Sequence, residues 1–255
     1  MAIVFHRHIR DIANMPVTYA IVRYESCKKM MKSRIILTVI IAVCCFHTKA
    51  GQLPEPFSII PEPQSVTIQT GRGFNVEKLR TIHLEKEMAL SIPGEHLRAL
   101  PVSPIKGELV LLLDDSDTRF ASKEAYELRI ERNKIVIAAA GEAGIFYGCQ
   151  SLEQLIEDAK YFKKELPAMT ISDHPAMTYR AVHFDVKHHL DHMNYYYNSI
   201  DRLARYKINA VVFEFEDKLR YRRQPLVGAP HAISIEEMSA LTQYARKRNI
   251  EITPL

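Results

Sequence analysis

Carboxylates and imidazoles crowd residues 183–217, and their spacing admits two kinds of chemistry. Glu214 and Glu216 lie two apart in the run Val211-Val212-Phe213-Glu214-Phe215-Glu216. On a strand the two carboxylates would share one face, about 6.8 Å apart by strand rise. That separation suits an inverting glycosidase pair, although such pairs ordinarily straddle the scissile bond from different strands. Asp217 follows at once. It reads either as an active-site group at the C-terminal end of a strand or as a loop carboxylate capping a turn. Four of the eleven histidines, His183, His188, His189 and His192, fall within ten residues. His188 and His192 have the i, i+4 spacing of a metal pair, but no HExxH or nearby cysteine accompanies them, and a polar strand end is the simpler account. Tyr195-Tyr196-Tyr197 could stack on a sugar or cover the outside of a sheet from a helix, the second being the plainer reading. Arg220, Arg222 and Arg223 read as a solvated loop.

Alternating elements must position these groups. After Asp173-His174-Pro175 the pattern predicts a strand over 181–186, a helix over 193–206 and a strand over 209–216. A second helix starts at Ser234, with Glu237 three residues on as a capping box, and runs to Lys247. A third strand opens at Asn249. Consecutive β-α units of this length imply a parallel sheet with right-handed crossovers. A TIM (β/α)8 barrel takes about 250 residues and about 80 are present, so residues 175–255 are expected to be the incomplete start of one, truncated after about its third strand.

Residues 52–172 follow a different grammar and predict an α+β domain. Pro54, Pro56, Pro61 and Pro63 enforce an extended entry. Residues 65–68 and 80–84 alternate, 108–113 is an apolar run, and 126–130 and 134–138 flank Glu131-Arg132-Asn133 as a hairpin. Past Gly141 and Gly144 the pattern predicts a helix over 143–158, with Ile145, Leu152, Leu155 and Ile156 toward one stripe and Gln154 and Glu157 off it.

Composition narrows the function classes. The chain is 47% hydrophobic and 25% charged, as globular proteins are. Its net +4 comes from residues 1–50, which hold eight Lys/Arg and two Asp/Glu; the body is net −2 and carries no electrostatic footprint for nucleic acid. Within 1–50, Lys28, Lys29, Lys32 and Arg34 precede an apolar run of about a dozen residues, 35–46, and then Thr48-Lys49-Ala50. That is the form of a signal peptide, too short for a bilayer span of about 20 residues. Met30 or Met31 is the more natural start, leaving 1–29 as upstream residues without an assigned function. The expected destination is the periplasm or the exterior, with membrane contact only through the signal peptide or, as the alternative reading of Cys44 and Cys45, a lipid anchor making an outer-membrane lipoprotein. Losing the leader leaves Cys149 alone, so no internal disulfide is expected, and its apolar helical surroundings point to burial rather than reactivity.

Several segments, in order, resemble one family. Glu124 to Leu128, Ile137 to Ala140, Gly144-Ile145-Phe146-Tyr147-Gly148-Cys149-Gln150-Ser151-Leu152 and Ile171 to Pro175 are similar to the zincin-like accessory domain and linker of glycoside hydrolase family 20, the β-N-acetylhexosaminidases. Tyr179-Arg180 and Asp185 to His189 resemble its first barrel strand, and Phe213 to Leu219 a divergent, bacterial branch. The resemblance implies retaining hydrolysis of terminal N-acetylhexosamine residues of a glycan or glycoconjugate, the substrate's acetamido group acting as nucleophile, without cofactor or metal. It puts the catalytic Asp-Glu pair on a fourth barrel strand, beyond Leu255, so no catalytic residue is named in this chain and the 255 residues alone are expected to be inactive. Asp217 falls on an Asp that shapes the sugar site. His188 falls on the substrate-holding Arg, a departure, since an imidazole cannot reproduce the two-pronged grip of a guanidinium. Arg180 and Asp185 take structural roles at the barrel start, with Ala181 in place of the usual Gly. The alternative is a non-catalytic carbohydrate-binding or inactive remnant.

Overall fold

The computed structural model describes residues 51–105 and 107–255. Residues 1–50, on which the expected signal peptide and Cys27, Cys44 and Cys45 fall, lie outside the described residues. Two sheets organise the rest.

The first sheet has seven strands: β1 (Ser65–Ile68), β2 (Ile82–Leu84), β3 (Val102–Ser103), β4 (Leu109–Leu113), β5 (Tyr126–Glu131), β6 (Lys134–Ala139) and β7 (Met169–Asp173). Their spatial order is β1-β7-β5-β6-β4-β2-β3. The first four of that order pair antiparallel and the last four parallel. The β5-β6 hairpin forms as the alternation predicts, with Glu131 paired to Lys134, so the turn itself is only Arg132-Asn133. In register, Leu128 stands between Ile137 and Ile171, and these residues are wholly buried under the helix α2 (Glu142–Phe162).

Helix α2 comes this close because its glycines lack side chains. A Cβ on Gly148 would stand 2.5 Å from Ile137 Cγ2, and one on Gly144 would stand 2.3 Å from the carbonyl oxygen of Ala125. The helix is four residues longer than predicted at its C-terminal end, closing on Lys163 in the left-handed conformation. It is also buried from two directions, where the sequence pattern shows one stripe. Gln154, expected off that stripe, is buried: its Oε1 accepts the Ile60 N–H at 2.9 Å and its Nε2 donates to the Ile60 carbonyl at 3.1 Å. The proline-rich entry segment covers this second side and is fastened again where Ser58 N–H meets Asp158 Oδ2 at 2.8 Å. Glu153, also on α2, holds together a short helix, α1 (Glu95–Arg98), by accepting the N–H groups of His96 at 2.8 Å and Leu97 at 3.1 Å.

The second sheet is three-stranded and parallel, in the order β10 (Glu251–Pro254), β9 (Ala210–Glu214), β8 (Ala181–Asp185). The crossovers are α3 (Met193–Arg205) and α4 (Ile235–Arg246), the latter opened by the capping box of Ser234 and Glu237. Val211 and Phe213 are fully buried, and Phe213 packs on Phe184 and on Tyr196 of α3. Tyr197 packs edge-on against Tyr244 of α4, so the tyrosine run serves helix packing. Of the three only Tyr195 is largely exposed.

Buried polar networks join the two sheets. Lys207 and Asp173 are 7% and 9% exposed, and Lys207 Nζ donates to Asp173 Oδ2 at 2.6 Å and to the Tyr126 hydroxyl at 3.0 Å. Tyr126 in turn hydrogen-bonds Ser151 at 2.6 Å. Burial lowers the Lys207 ammonium despite its carboxylate partner, and burial, seconded by that carboxylate, raises the Tyr126 phenol well above its ordinary value. Beside it, the Arg180 guanidinium grips Glu124 through Nη2 at 2.8 Å and the carbonyl of Lys207 through Nε at 2.7 Å. A third link is two-pronged, Arg205 to Glu157 at 2.6 Å on both arms.

Candidate functional site

Parallel strands in register align their C-terminal ends, and here those ends bring chemistry together. Asp185 of β8 stands opposite Glu214 of β9, and His183 opposite Val212. Period-two alternation puts His183, Asp185, Val212, Glu214 and Thr253 on the face that α3 and α4 leave uncovered, while Val211 and Phe213 point to the helices. Glu214 is the hub of that open face. Its Oε2 is 2.9 Å from His183 Nε2 and its Oε1 accepts from Lys187 Nζ at 3.0 Å. Lys187 also reaches Asp185 Oδ2 at 3.3 Å. The hydrogen bonds that Lys187 donates to Glu214 and Asp185 raise its ammonium above its ordinary value. Burial works to raise Asp185, but the N–H and ammonium of Lys187 outweigh it and hold the carboxyl low.

Asp217 lies three residues past the end of β9, half-exposed, and pairs with the neighbouring Lys218. That hydrogen bond holds the Asp217 carboxyl below its usual value, so it stands as an anion at neutral pH. Its backbone also organises the loop, its carbonyl accepting the Ala229 N–H at 2.8 Å. His188 is exposed just past β8, close enough to Asp185 to favour its charge. Both residues therefore sit at the C-terminal edge of the parallel sheet. Arg180 sits at the opposite edge, preceding β8, with its guanidinium locked into the inter-sheet network. Asp185, assigned with it to a structural role, is separated from it by the length of the strand and belongs to the open-face cluster.

Two spacing arguments fail for physical reasons. Regular pairing of β9 ends at Glu214, and Glu216 takes the left-handed conformation at φ 45°, which breaks the alternation that would have put both carboxylates on one face. His188 precedes α3 and His192 is its N-cap, so their i, i+4 spacing is not helical. His189 pairs with Asp191 at 3.1 Å instead. Among the described residues no group of three or more His, Cys, Asp or Glu is arranged to hold a metal ion. Cys149 is buried and unpaired, and burial pushes its thiol far up, out of the nucleophilic range. Sequence reading missed Glu214 as a hub and Lys187 as its partner. The signal was available in the alternation Ala181, His183, Asp185, which marks a polar face in register with Glu214.

Residues 57–174 match the family model described as glycosyl hydrolase family 20, domain 2. Beta-hexosaminidase B of Pseudoalteromonas piscicida is 23% identical over 209 residues, covering 81% of this chain and 25% of that protein. A beta-hexosaminidase of Vibrio vulnificus is 31% identical over 182 residues, 69% of this chain and 20% of that one. The chain thus spans about a quarter of the length of the curated relatives it matches. Among solved structures, the GH20 exo beta-N-acetylglucosaminidase of Vibrio harveyi in complex with N-acetylglucosamine shares the fold at a TM-score of 0.64 and 18% identity, over 80% of this chain and 37% of that one.

Proposed function

Because this chain belongs, through its N-terminal portion, to glycosyl hydrolase family 20, we propose that β8, β9 and β10 open its catalytic TIM (β/α)8 barrel and that the protein hydrolyses terminal, non-reducing N-acetylhexosamine residues of glycans. One observation carries the reading. The parallel sheet is covered by helices on one face only, and its other face gathers His183, Asp185, Lys187 and Glu214 toward the C-terminal edge, where barrel enzymes keep their active sites.

The reaction is a substrate-assisted retaining hydrolysis. The acetamido carbonyl oxygen attacks the anomeric carbon, the glycosidic bond breaks, and a carboxylic acid with a raised pKa delivers its proton to the departing oxygen. Water then opens the cyclic intermediate and returns a proton to that carboxylate. In this scheme Asp217 and His188 hold sugar hydroxyls, Arg180 joins the accessory domain to the barrel start, and the Asp-Glu pair that works on the acetamido group and the leaving oxygen belongs to a fourth barrel strand. On this reading residues 1–255 assayed alone are expected to show no turnover. The composition of residues 28–50 supports export to the periplasm or the exterior.

The test is turnover of an aryl N-acetyl-β-D-glucosaminide by the protein expressed from its own locus. Asp217→Asn should raise KM about tenfold or more with little change in Tm, since charge-assisted hydrogen bonds contribute about 1.5–3 kcal/mol. Wild-type KM in Asp217→Asn would remove Asp217 from the sugar site, and no turnover by that protein would end the hydrolase reading.

A further inference from the structure

Position 188 carries an imidazole where the resemblance calls for a guanidinium, and one residue before it stands a cation that the fold brings onto the open face. Backbone pairing of β8 with β9 continues one residue past Asp185, the Val186 N–H donating to the Glu214 carbonyl at 3.2 Å. The alternation therefore persists. Val186 is buried toward the helices, and Lys187 falls with His183 and Asp185 on the uncovered side. His188 follows in the bend and is exposed.

Lys187 is clamped there. Its Nζ donates to Glu214 Oε1 at 3.0 Å and lies 3.3 Å from Asp185 Oδ2. Glu214 is fixed in turn, its other oxygen standing 2.9 Å from His183 Nε2. A lysine side chain ordinarily carries much rotamer freedom, and a donor already held in place binds without having to be ordered first.

An ammonium has three N–H groups. Two go to these carboxylates, and the third has no partner among the described residues. The side chain is 27% exposed, so that third N–H is open to a ligand. Two carboxylates already balance the ammonium charge, and the acceptor it fits is a neutral hydroxyl rather than a sulfate or phosphate ester. Asp217, an anionic acceptor, lies at the same edge of the sheet, just past β9 as Lys187 lies just past β8. A fixed donor and a fixed acceptor at one strand edge complement hydroxyls, each of which both donates and accepts.

We infer that Lys187, clamped by Glu214 and Asp185, is a substrate-positioning residue that donates to one ring hydroxyl of the N-acetylhexosamine, a fixed donor beside the His188 imidazole. This rests on the hydrolase reading of the open face.

The test is steady-state kinetics of the protein expressed from its own locus, on an aryl N-acetyl-β-D-glucosaminide and on its 3-deoxy, 4-deoxy and 6-deoxy analogues. Lys187→Met should raise KM for the parent about tenfold or more, with kcat changed much less. For the one analogue that lacks the held hydroxyl, the same substitution should change KM by less than about twofold, because residue and hydroxyl form a coupled pair. Lys187→Arg, which keeps the charge, should recover part of the loss. A brace at the strand ends would weaken all four substrates alike, and that result overturns the inference, as does a wild-type KM for the parent in Lys187→Met. Should Lys187→Met not fold, Lys187→Arg decides: the displaced donor should alter KM for the parent and spare the same single analogue, and an equal effect on all four overturns the inference. No turnover by the wild type ends the hydrolase reading and this assignment with it, whereas turnover indifferent to Lys187 ends the assignment alone.

Discussion

The seven-stranded and three-stranded sheets use the same alternation to opposite ends. In the first, Leu128, Ile137 and Ile171 are sealed under α2, and the polar atoms that enter the interior, those of Tyr126, Ser151, Asp173 and Lys207, satisfy one another in a closed network. In the second, α3 and α4 seal Val211 and Phe213, while His183, Asp185 and Glu214 form their network on a face the helices leave open. A polar network closed on all sides fixes how two parts of a chain meet. One left open on one side can exchange its partners for those of a ligand.

That contrast makes predictions of graded size. The largest concerns the sealed network. Asp173→Ala strands the Lys207 ammonium in the interior and should lower stability by about 3–5 kcal/mol in urea unfolding. The double variant Asp173→Leu with Lys207→Met should recover most of the loss, and strictly additive losses would argue that the pair is not coupled. Next, Leu128→Ala should cost about 2–5 kcal/mol, whereas Val212→Ala on the open face should cost less than about 1 kcal/mol. Equal effects would erase the distinction between the sheets.

Alkaline pH tests the same interior. Burial raises the Tyr126 and Tyr147 phenols and the Cys149 thiol. The unfolded chain releases those protons at ordinary values while the folded chain keeps them, so the unfolded state binds fewer protons and stability falls as pH rises above about 9. Lys207, lowered by burial, acts in the opposite sense as one group against three. The urea midpoint should drop between about pH 8.5 and about pH 11, and less steeply in Tyr126→Phe. A level midpoint would contradict the account. The smallest effect is at the edge: Lys218→Ala, which frees the half-exposed Asp217, should change stability by less than about 1 kcal/mol.

Much of this was legible in the sequence. The hairpin, the capping box and the strands of the parallel sheet follow from local patterns that the structure keeps. What was hidden depends on partners distant in sequence. Gln154 reads as a surface residue because the backbone that buries it lies 94 residues away, and α1 is shaped by Glu153, 57 residues beyond His96. Lys207 looks like a loop lysine until the fold brings Asp173, 34 residues back, against it. At the candidate site the alternation of β8 was readable, but the loss of the Glu214 and Glu216 pairing was not, because it turns on one left-handed residue at a strand end.

The proposed function implies a division of labour, in which Asp217 and His188 hold the sugar and a fourth strand supplies the acid. It is tested most directly by assaying the purified, folded 255-residue chain against an aryl N-acetyl-β-D-glucosaminide. The account predicts no turnover above the uncatalysed rate. Turnover that Glu214→Gln abolishes would contradict it, by showing that the open face contains the acid itself.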